Sequence, residues 1–460
     1  MPVGAVQFSK FNLYLADYPE PGDTLVYNAF SGGSVVFDHP TLAALRSIDK
    51  SNSSSEAARA LADPELLDES VGVLTPSHQA EEKAFRSWYQ ESRSSSEELV
   101  AVVSVTFACN LACTYCCEHT VLNGKAMTNE TGQATAAWLA SRALEIGARR
   151  IRLELTGGEP LLQPWRVVQV AAELRQRLAG TGIELGVGLI TNGVLLKPEL
   201  VDTLLPLGLV HAQVTLDGDE TTHPITRRSR IGNENTFPAI LRNLRYAASK
   251  LNVTVRGNYQ PNTLSGFVPL LAKLTDIGVR PGSRVSFRPA LSNAGSPIDS
   301  GCARNWSEAT PKAMIGLADA VWRAGFDPGD LMVLGPCMLQ QYHAYSVDPE
   351  GSIYLCPGFL GRRDWSIGHV TTGLSPRYDE LLAVDVFAEC GDCAHRPSCG
   401  GGCQANAWLR TGRPAGMVCE RGYFETCQAE LMTRKYALAT AASVEEALAM
   451  VPPLALPSSC

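Results

Sequence analysis

The 460-residue sequence predicts an α/β fold: an open, partial (β/α)6 barrel of parallel strands, flanked by a small α+β unit and a cysteine-rich C-terminal unit. Three observations carry that expectation. Between residues 99 and 291, near-continuous apolar runs of strand length alternate with amphipathic helical patterns, as a parallel sheet covered by helices requires. Six such units are present, too few to close an eight-unit barrel. Most of the 14 cysteines then crowd into residues 337–427 among many glycines, as expected where metal rather than an apolar core holds the chain.

Residues 1–96 read as a unit of their own. NLYLADYP, DTLVYNA and GSVVFD are short β-type runs broken by PEPGD and SGG, and helical stretches TLAALRSID and EEKAFRSWYQESR follow. The polar patch Glu91–Glu98 reads as a linker. The six strands are predicted at 99–106, 150–156, 184–191, 210–216, 252–258 and 284–290, with helices near 130–147, 164–179, 197–207, 236–250 and 265–278. Residues 292–336 form a bridge with one helix near 311–324. Residues 428–460 are helix-like and Ala-rich, then end in PPLALPSSC, expected to be mobile.

Composition narrows the function. With 45% hydrophobic and 19% charged residues, the chain reads as an ordinary soluble protein of two or three domains. A net charge of -8 argues against a nucleic-acid partner, which needs basic faces. No apolar run approaches the ~20 residues of a membrane span, and MPVGAVQFSKF lacks the apolar core of a signal peptide. Cysteines without an export signal point to reduced, metal-binding thiols and a cytoplasmic location.

Cys109, Cys113 and Cys116 have the spacing C-x3-C-x2-C immediately after the first barrel strand. Three thiolates in so short a loop can hold a [4Fe–4S] cube while leaving one iron open. A zinc site closed by Cys117 or His119 is the plainer alternative. Gly157-Gly158-Glu159-Pro160 follows the second strand. Its glycines permit close backbone approach to a ligand and its carboxylate can accept from an ammonium group, although such a sequence also makes an ordinary turn. Asn192, in TNG, ends the third strand and either shapes a pocket or makes a plain turn. Thr215 and Asp217 in VTLDGD, and Arg256 in VTVRGNY, stand at later strand ends as ligand contacts or as satisfied polar residues. His223 and Arg227 in DETTHPITRR either line a substrate mouth or, as the favoured reading, sit in a surface loop. The second cysteine group runs Cys337-x13-Gly351-x4-Cys356, Cys390-x2-Cys393-x5-Cys399-x3-Cys403, then Cys419; two zinc sites are the alternative.

On these motifs, residues 99–427 resemble the radical S-adenosylmethionine (SAM) enzymes with a SPASM domain. The resemblance implies a TIM-like partial barrel in which Cys109, Cys113 and Cys116 hold a [4Fe–4S] cluster that binds and reduces SAM. It implies that Tyr115 packs near the adenine and that Gly157, Gly158, Glu159 and Pro160 receive the methionine amine. Thr215 matches the Ser of an SxDG element, for carboxylate or ribose, with Asp217, and Arg256 would pair with the carboxylate. Cys390, Cys393, Cys399 and Cys419 would close one auxiliary [4Fe–4S] cluster. Cys337, Cys356 and Cys403 would hold a second, with Cys302 or Cys427 as a fourth ligand, or an open iron for a substrate thiolate. Three clusters and SAM are thus expected, fed by a flavodoxin- or ferredoxin-type donor.

The resemblance further implies a 5′-deoxyadenosyl radical that takes hydrogen from a substrate C–H, chemistry that the cofactor supplies. Enzymes with these auxiliary clusters act mostly on peptides. The N-terminal unit resembles a winged-helix element that captures a precursor leader as an added strand, with a lid or dimerisation domain as the alternative. The expected activity is therefore peptide maturation, forming a thioether or carbon–carbon crosslink by net oxidation. No catalytic acid or base is assigned. An anaerobic sulfatase-maturing enzyme is the alternative, but that type usually has Asp after the cysteine of G-x4-C, where this chain has Pro357. A non-catalytic iron–sulfur or zinc scaffold is the other, and GGEP argues against it because a scaffold needs no amine acceptor.

Overall fold

In the computed structural model, the described residues are 7–47, 71–116, 118, 120–232, 234–290, 309–332, 335–413, 418–452 and 454. The N-terminal β-type runs form an antiparallel meander of β2 (Asn12–Ala16), β3 (Asp23–Asn28) and β4 (Ser34–Asp38). Beside it, β1 (Gln7–Phe8) pairs with β5 (Leu74–Thr75), and helix α1 (His39–Ser47) follows β4. Val26, Phe37, Leu42, Leu45 and Val73 make its small apolar core. Helix α2 (His78–Ser94) is N-capped by Ser77, whose hydroxyl accepts from the Ala80 amide.

The polar patch expected as a linker is mostly ordered structure: α2 runs to Ser94 and β6 (Glu98–Ser104) begins at Glu98. Its polar side chains reflect the solvent side of an amphipathic helix, whose other face buries Phe85 and Tyr89.

The barrel strands are β6, β8 (Arg150–Thr156), β9 (Glu184–Thr191), β10 (Leu209–Thr215), β12 (Asn252–Tyr259) and β13 (Arg284–Pro289), paired in parallel in that order. Helices α3 (Asn129–Glu145), α4 (Pro164–Leu178), α5 (Pro198–Leu204), α7 (Phe237–Lys250) and α8 (Phe267–Asp276) connect them, and proline opens α4 and α5 at positions that need no amide donor. Two short strands, β7 (Leu111–Cys113) and β11 (Arg227–Ser229), pair antiparallel above the sheet, and the four-residue helix α6 (His223–Thr226) leads into β11. Alternate strand residues such as Ile151, Leu153 and Leu155 are fully buried against the helices. The opposite, lumen-facing row is largely polar, with Arg152, Glu154, His211, Thr254 and Arg256 beside Val100 and Val102 of β6.

The C-terminal unit extends this sheet rather than standing apart. β14 (Ala344–Val347) pairs in parallel with Val100–Val103 of β6, then β15 (Ser352–Tyr354), β16 (Gly368–His369) and β17 (Gly373–Leu374) continue antiparallel. Ten strands result. The bridge helix is α9 (Ala309–Arg323); α10 (Arg377–Leu382), α11 (Arg396–Cys399), α12 (Gln404–Thr411), α13 (Arg421–Thr440) and α14 (Val444–Met450) follow. The expected boundary between 427 and 428 falls inside the single helix α13, which packs on α9 through a buried Arg434–Asp319 pair at 2.6 Å. Most of PPLALPSSC lies outside the described residues. Among the described residues, no helix is long and apolar enough to cross a membrane.

Candidate active site

The site is assembled at the C-terminal end of the barrel strands, where the chain leaves β6 and β8. Gly157 has φ +149°, and a Cβ there would lie 2.4 Å from the Thr106 carbonyl; at Gly158 it would lie 2.4 Å from that of Ala108. The Gly158 and Glu159 amides donate to those same carbonyls at 2.9 and 2.8 Å. The glycines therefore admit the chain's own cysteine loop against GGEP, a role beside the ligand approach expected of them. Pro160 then starts a single 3-10 turn.

Glu159 is fully buried, and its carboxylate is already engaged. Oε1 accepts from Leu161 N at 3.0 Å and Thr191 Oγ1 at 2.8 Å, and Oε2 accepts from Asn192 N at 2.8 Å. Burial pushes its pKa up while these donors hold it down. Asn192 in turn donates its side-chain amide to Asn110 Oδ1 at 2.7 Å, between Cys109 and Leu111. Glu159 and Asn192 thus tie the ends of β8 and β9 to the cysteine loop.

Tyr115 and Asp217 meet in a second buried network. The Tyr115 hydroxyl donates to Asp217 Oδ2 and accepts from Arg227 Nη1 at 2.8 Å and Asn258 Nδ2 at 3.1 Å. Asp217 also accepts from Asn258 N at 2.8 Å and Thr226 Oγ1 at 3.2 Å, with Arg227 3.9 Å away. Burial raises the Asp217 carboxyl against the pull of Arg227. His223 and Arg227 are no surface loop: they are 0% and 7% exposed. Burial, then Arg227, lowers His223 to about 3, so its neutral Nδ1 accepts from the Asp217 amide at 3.3 Å. Nothing in the sequence marks Arg227 and Asn258 as partners of Tyr115; the β7–β11 pairing, which sets Arg227 opposite Cys113, brings the first, and the end of β12 carries the second. Thr215 and Arg256 are register partners on adjacent strands, and Arg256 is exposed toward the lumen.

The three loop cysteines are partly exposed on the rim. Burial pushes Cys109 and Cys116 up to about 11 and also raises Cys113, so these thiols are protonated until a metal takes them as thiolates. The donor set, three thiols within one loop, suits a cluster. The buried Nε of Arg227 has no hydrogen-bond partner beside them. An acceptor such as a cluster sulfur would satisfy it. Cys117 and His119 lie outside the described residues.

The C-terminal cysteines surround two cavities that meet at Cys399. One, of about 360 Å³, is lined by Cys337, Cys356, Cys399 and Cys403, and by Arg288 from the lumen row of β13. The other, of about 160 Å³, is lined by Cys390, Cys393, Cys399 and Cys419. Burial raises Cys337 to about 11 and Cys399 to about 12, and raises Cys390 as well. Cys427 lines neither cavity: it is buried on α13 and its Sγ donates to the Tyr423 carbonyl at 3.1 Å. It is not placed to be a fourth ligand. Cys302 lies outside the described residues. Among the described residues, no three His, Cys, Asp or Glu converge closely enough for a single metal ion.

Residues 103–264 match the family model of the radical SAM superfamily. These residues form a radical SAM domain. The chain is related, at low identity, to peptide maturases of this superfamily. It is 26% identical over 345 residues to the mycofactocin maturase of Mycobacterium ulcerans, across 69% of this chain and 87% of that one. It is 25% identical over 332 residues to a serine-type anaerobic sulfatase-maturating enzyme of Klebsiella aerogenes, across 65% and 78% of the two chains. Among solved structures it resembles anSMEcpe with bound AdoMet and a peptide, with TM-score 0.58 and 16% identity over 74% of this chain and 99% of that one. It also resembles Streptococcus suis SuiB bound to S-adenosylmethionine, with TM-score 0.51 and 14% identity over 90% and 99%. At those identities the structures speak for the fold, a barrel-like parallel sheet. SAM and one [4Fe–4S] cluster are typical of radical SAM enzymes.

Proposed function

We propose that the chain is a radical SAM peptide maturase with two auxiliary [4Fe–4S] clusters, which oxidatively crosslinks a ribosomally made precursor through a thioether or carbon–carbon bond. One observation carries the reading: Arg288 of barrel strand β13 also lines the cavity of Cys337, Cys356 and Cys403. A redox centre there would adjoin the substrate lumen and take the electron that a substrate radical must lose. Cys109, Cys113 and Cys116 would hold the SAM-binding cluster, which when loaded supplies the 5′-deoxyadenosyl radical. GGEP, Asn192, Thr215, Asp217, Tyr115 and Arg256 would line or brace the SAM pocket. A flavodoxin- or ferredoxin-type protein would deliver the electron.

The N-terminal unit supports a peptide substrate. Among the described residues no strand pairs with the outer edge of β4, whereas the opposite edge of the meander is covered, with Gln428 of α13 donating to the Tyr14 carbonyl. A leader adding to β4 as a fourth strand is the capture mode proposed. Resemblance to SuiB over nine-tenths of the chain reaches into this unit. The mycofactocin maturase relative points the same way. The sulfatase-maturing reading has a relative in its favour, but Pro357 offers no carboxylate after Cys356 and instead opens a 3-10 turn.

The test is anaerobic reconstitution followed by co-expression with a short Cys-bearing peptide encoded beside the gene. Reduced holoenzyme should cleave SAM to 5′-deoxyadenosine, Cys116→Ala should not, and the peptide should lose two hydrogens per modification. Conversion of a sulfatase Cys or Ser to an aldehyde would replace this reading with the other.

A further inference from the structure

Arg396 lies between Cys393 and Cys399, on the wall of the smaller cysteine-lined cavity, and is 4% exposed. Its two terminal nitrogens are spent on the N-terminal unit: Nη1 and Nη2 donate to Glu82 Oε1 and Oε2 of α2 at 3.2 and 2.7 Å. The guanidinium lies over the rings of Phe11 and Phe85, 5.2 Å from each centroid. Glu82 is itself pinned by Lys10 and by Arg86 Nε at 2.9 Å. This end-on fork leaves the third donor, Nε–H, on the remaining edge of the guanidinium. That atom is buried and has no partner, and neither has the buried Nδ1 of His395 on the same wall. A buried guanidinium N–H is rarely left without an acceptor, so such a group points to something that fills the cavity.

We propose that Arg396 donates its Nε–H to a sulfur of the cluster held by Cys390, Cys393, Cys399 and Cys419, and that Glu82 of the N-terminal unit positions it. The inference rests on the auxiliary-cluster reading above. A hydrogen bond and a positive charge beside the sulfurs stabilise the reduced, more negative cluster and raise its reduction potential. Arginine is required because only a planar fork can grip a carboxylate with two donors and offer a third sideways; lysine cannot. The outer cluster would then owe its potential to a residue of the N-terminal unit far away in sequence.

The test uses full-length protein with Cys109, Cys113 and Cys116 replaced by alanine, so that only the auxiliary clusters report. Potentiometric titration followed by electron paramagnetic resonance, and proton hyperfine spectra in H2O against D2O, are compared with Arg396→Lys and Glu82→Ala. In Arg396→Lys one of the two auxiliary potentials should become more negative and one exchangeable-proton coupling should vanish, while the other cluster stays unchanged as an internal control. Glu82→Ala should weaken that same coupling with Arg396 intact, which keeps the proposal testable should the lysine variant fail to fold. A full iron complement with potential and couplings unmoved overturns the proposal alone. Parent protein with no cluster on the four cysteines overturns the auxiliary-cluster reading and this proposal together.

Discussion

Glu159 is the residue on which the active-site loops converge, because one buried carboxylate satisfies the Leu161 and Asn192 amides and the Thr191 hydroxyl. Glu159→Ala would leave those donors unpaired and should lower the stability of the metal-free protein by about 2–5 kcal/mol, read from urea unfolding; an unchanged midpoint would contradict the assignment. His223 gives the pH dependence. Its folded pKa, lowered to about 3, lies below the ordinary 6.5, so the unfolded chain binds a proton that the folded chain refuses. Stability is therefore full above pH 6.5 and falls as pH drops toward 3, by about 2 kcal/mol between pH 7 and 5. His223→Asn, which keeps an acceptor for the Asp217 amide, should flatten that slope in thermal melts at the two pH values. The sequence singles out Glu159 but not its partners, since an acceptor motif does not say whether a ligand or the chain itself will use it. It misplaces His223 and Arg227 for a related reason: DETTHPITRR is mostly polar, and contacts distant in sequence bury these two, His223 against Phe237 and Arg227 through the pairing of β11 with β7.

At the scale of elements, the six barrel strands and their helices were legible to within a residue or two because each carries its own apolar period, except that α5 stops at Leu204 and a 3-10 turn continues to Leu207. β14 was not. It has four residues, AYSV, too few for a period to show, and it is a strand because the free edge of β6 offers it partners. The linker reading failed at α2 because a polar helix surface and a polar coil have similar composition. GGEP was legible as a motif, but its backbone-to-backbone contact was not. Gly158→Ala would place a methyl 2.4 Å from the Ala108 carbonyl and must displace the cysteine loop. On the three clusters proposed above, the expected result is loss of about a third of ~12 iron atoms, with the other two clusters retained, as measured by iron analysis. Full loading would mean the loop can yield without cost.

For the whole molecule, the bridge and the tail are joined by apolar packing and a buried ion pair set within it. Asp319 and Arg434 are 1% and 3% exposed, and Asp319 accepts from both Nε and Nη2 of the arginine. Asp319→Ala strands a buried cation and should cost about 3–5 kcal/mol in denaturant unfolding; a smaller loss would mean that the Glu430 and Pro452 carbonyls suffice for Arg434. Each of the two cavities gathers one of the cysteine sets that the spacings single out, with Cys399 lining both.

Sharing one sheet between barrel and C-terminal unit also sets an order of assembly. During synthesis the outer border of β6 emerges long before β14 exists to close it. At ordinary elongation rates that row of amides and carbonyls stands open for on the order of 10–50 s. The nascent chain must be shielded through that interval, so chaperone supply, as much as iron supply, should limit how much active protein a host can make.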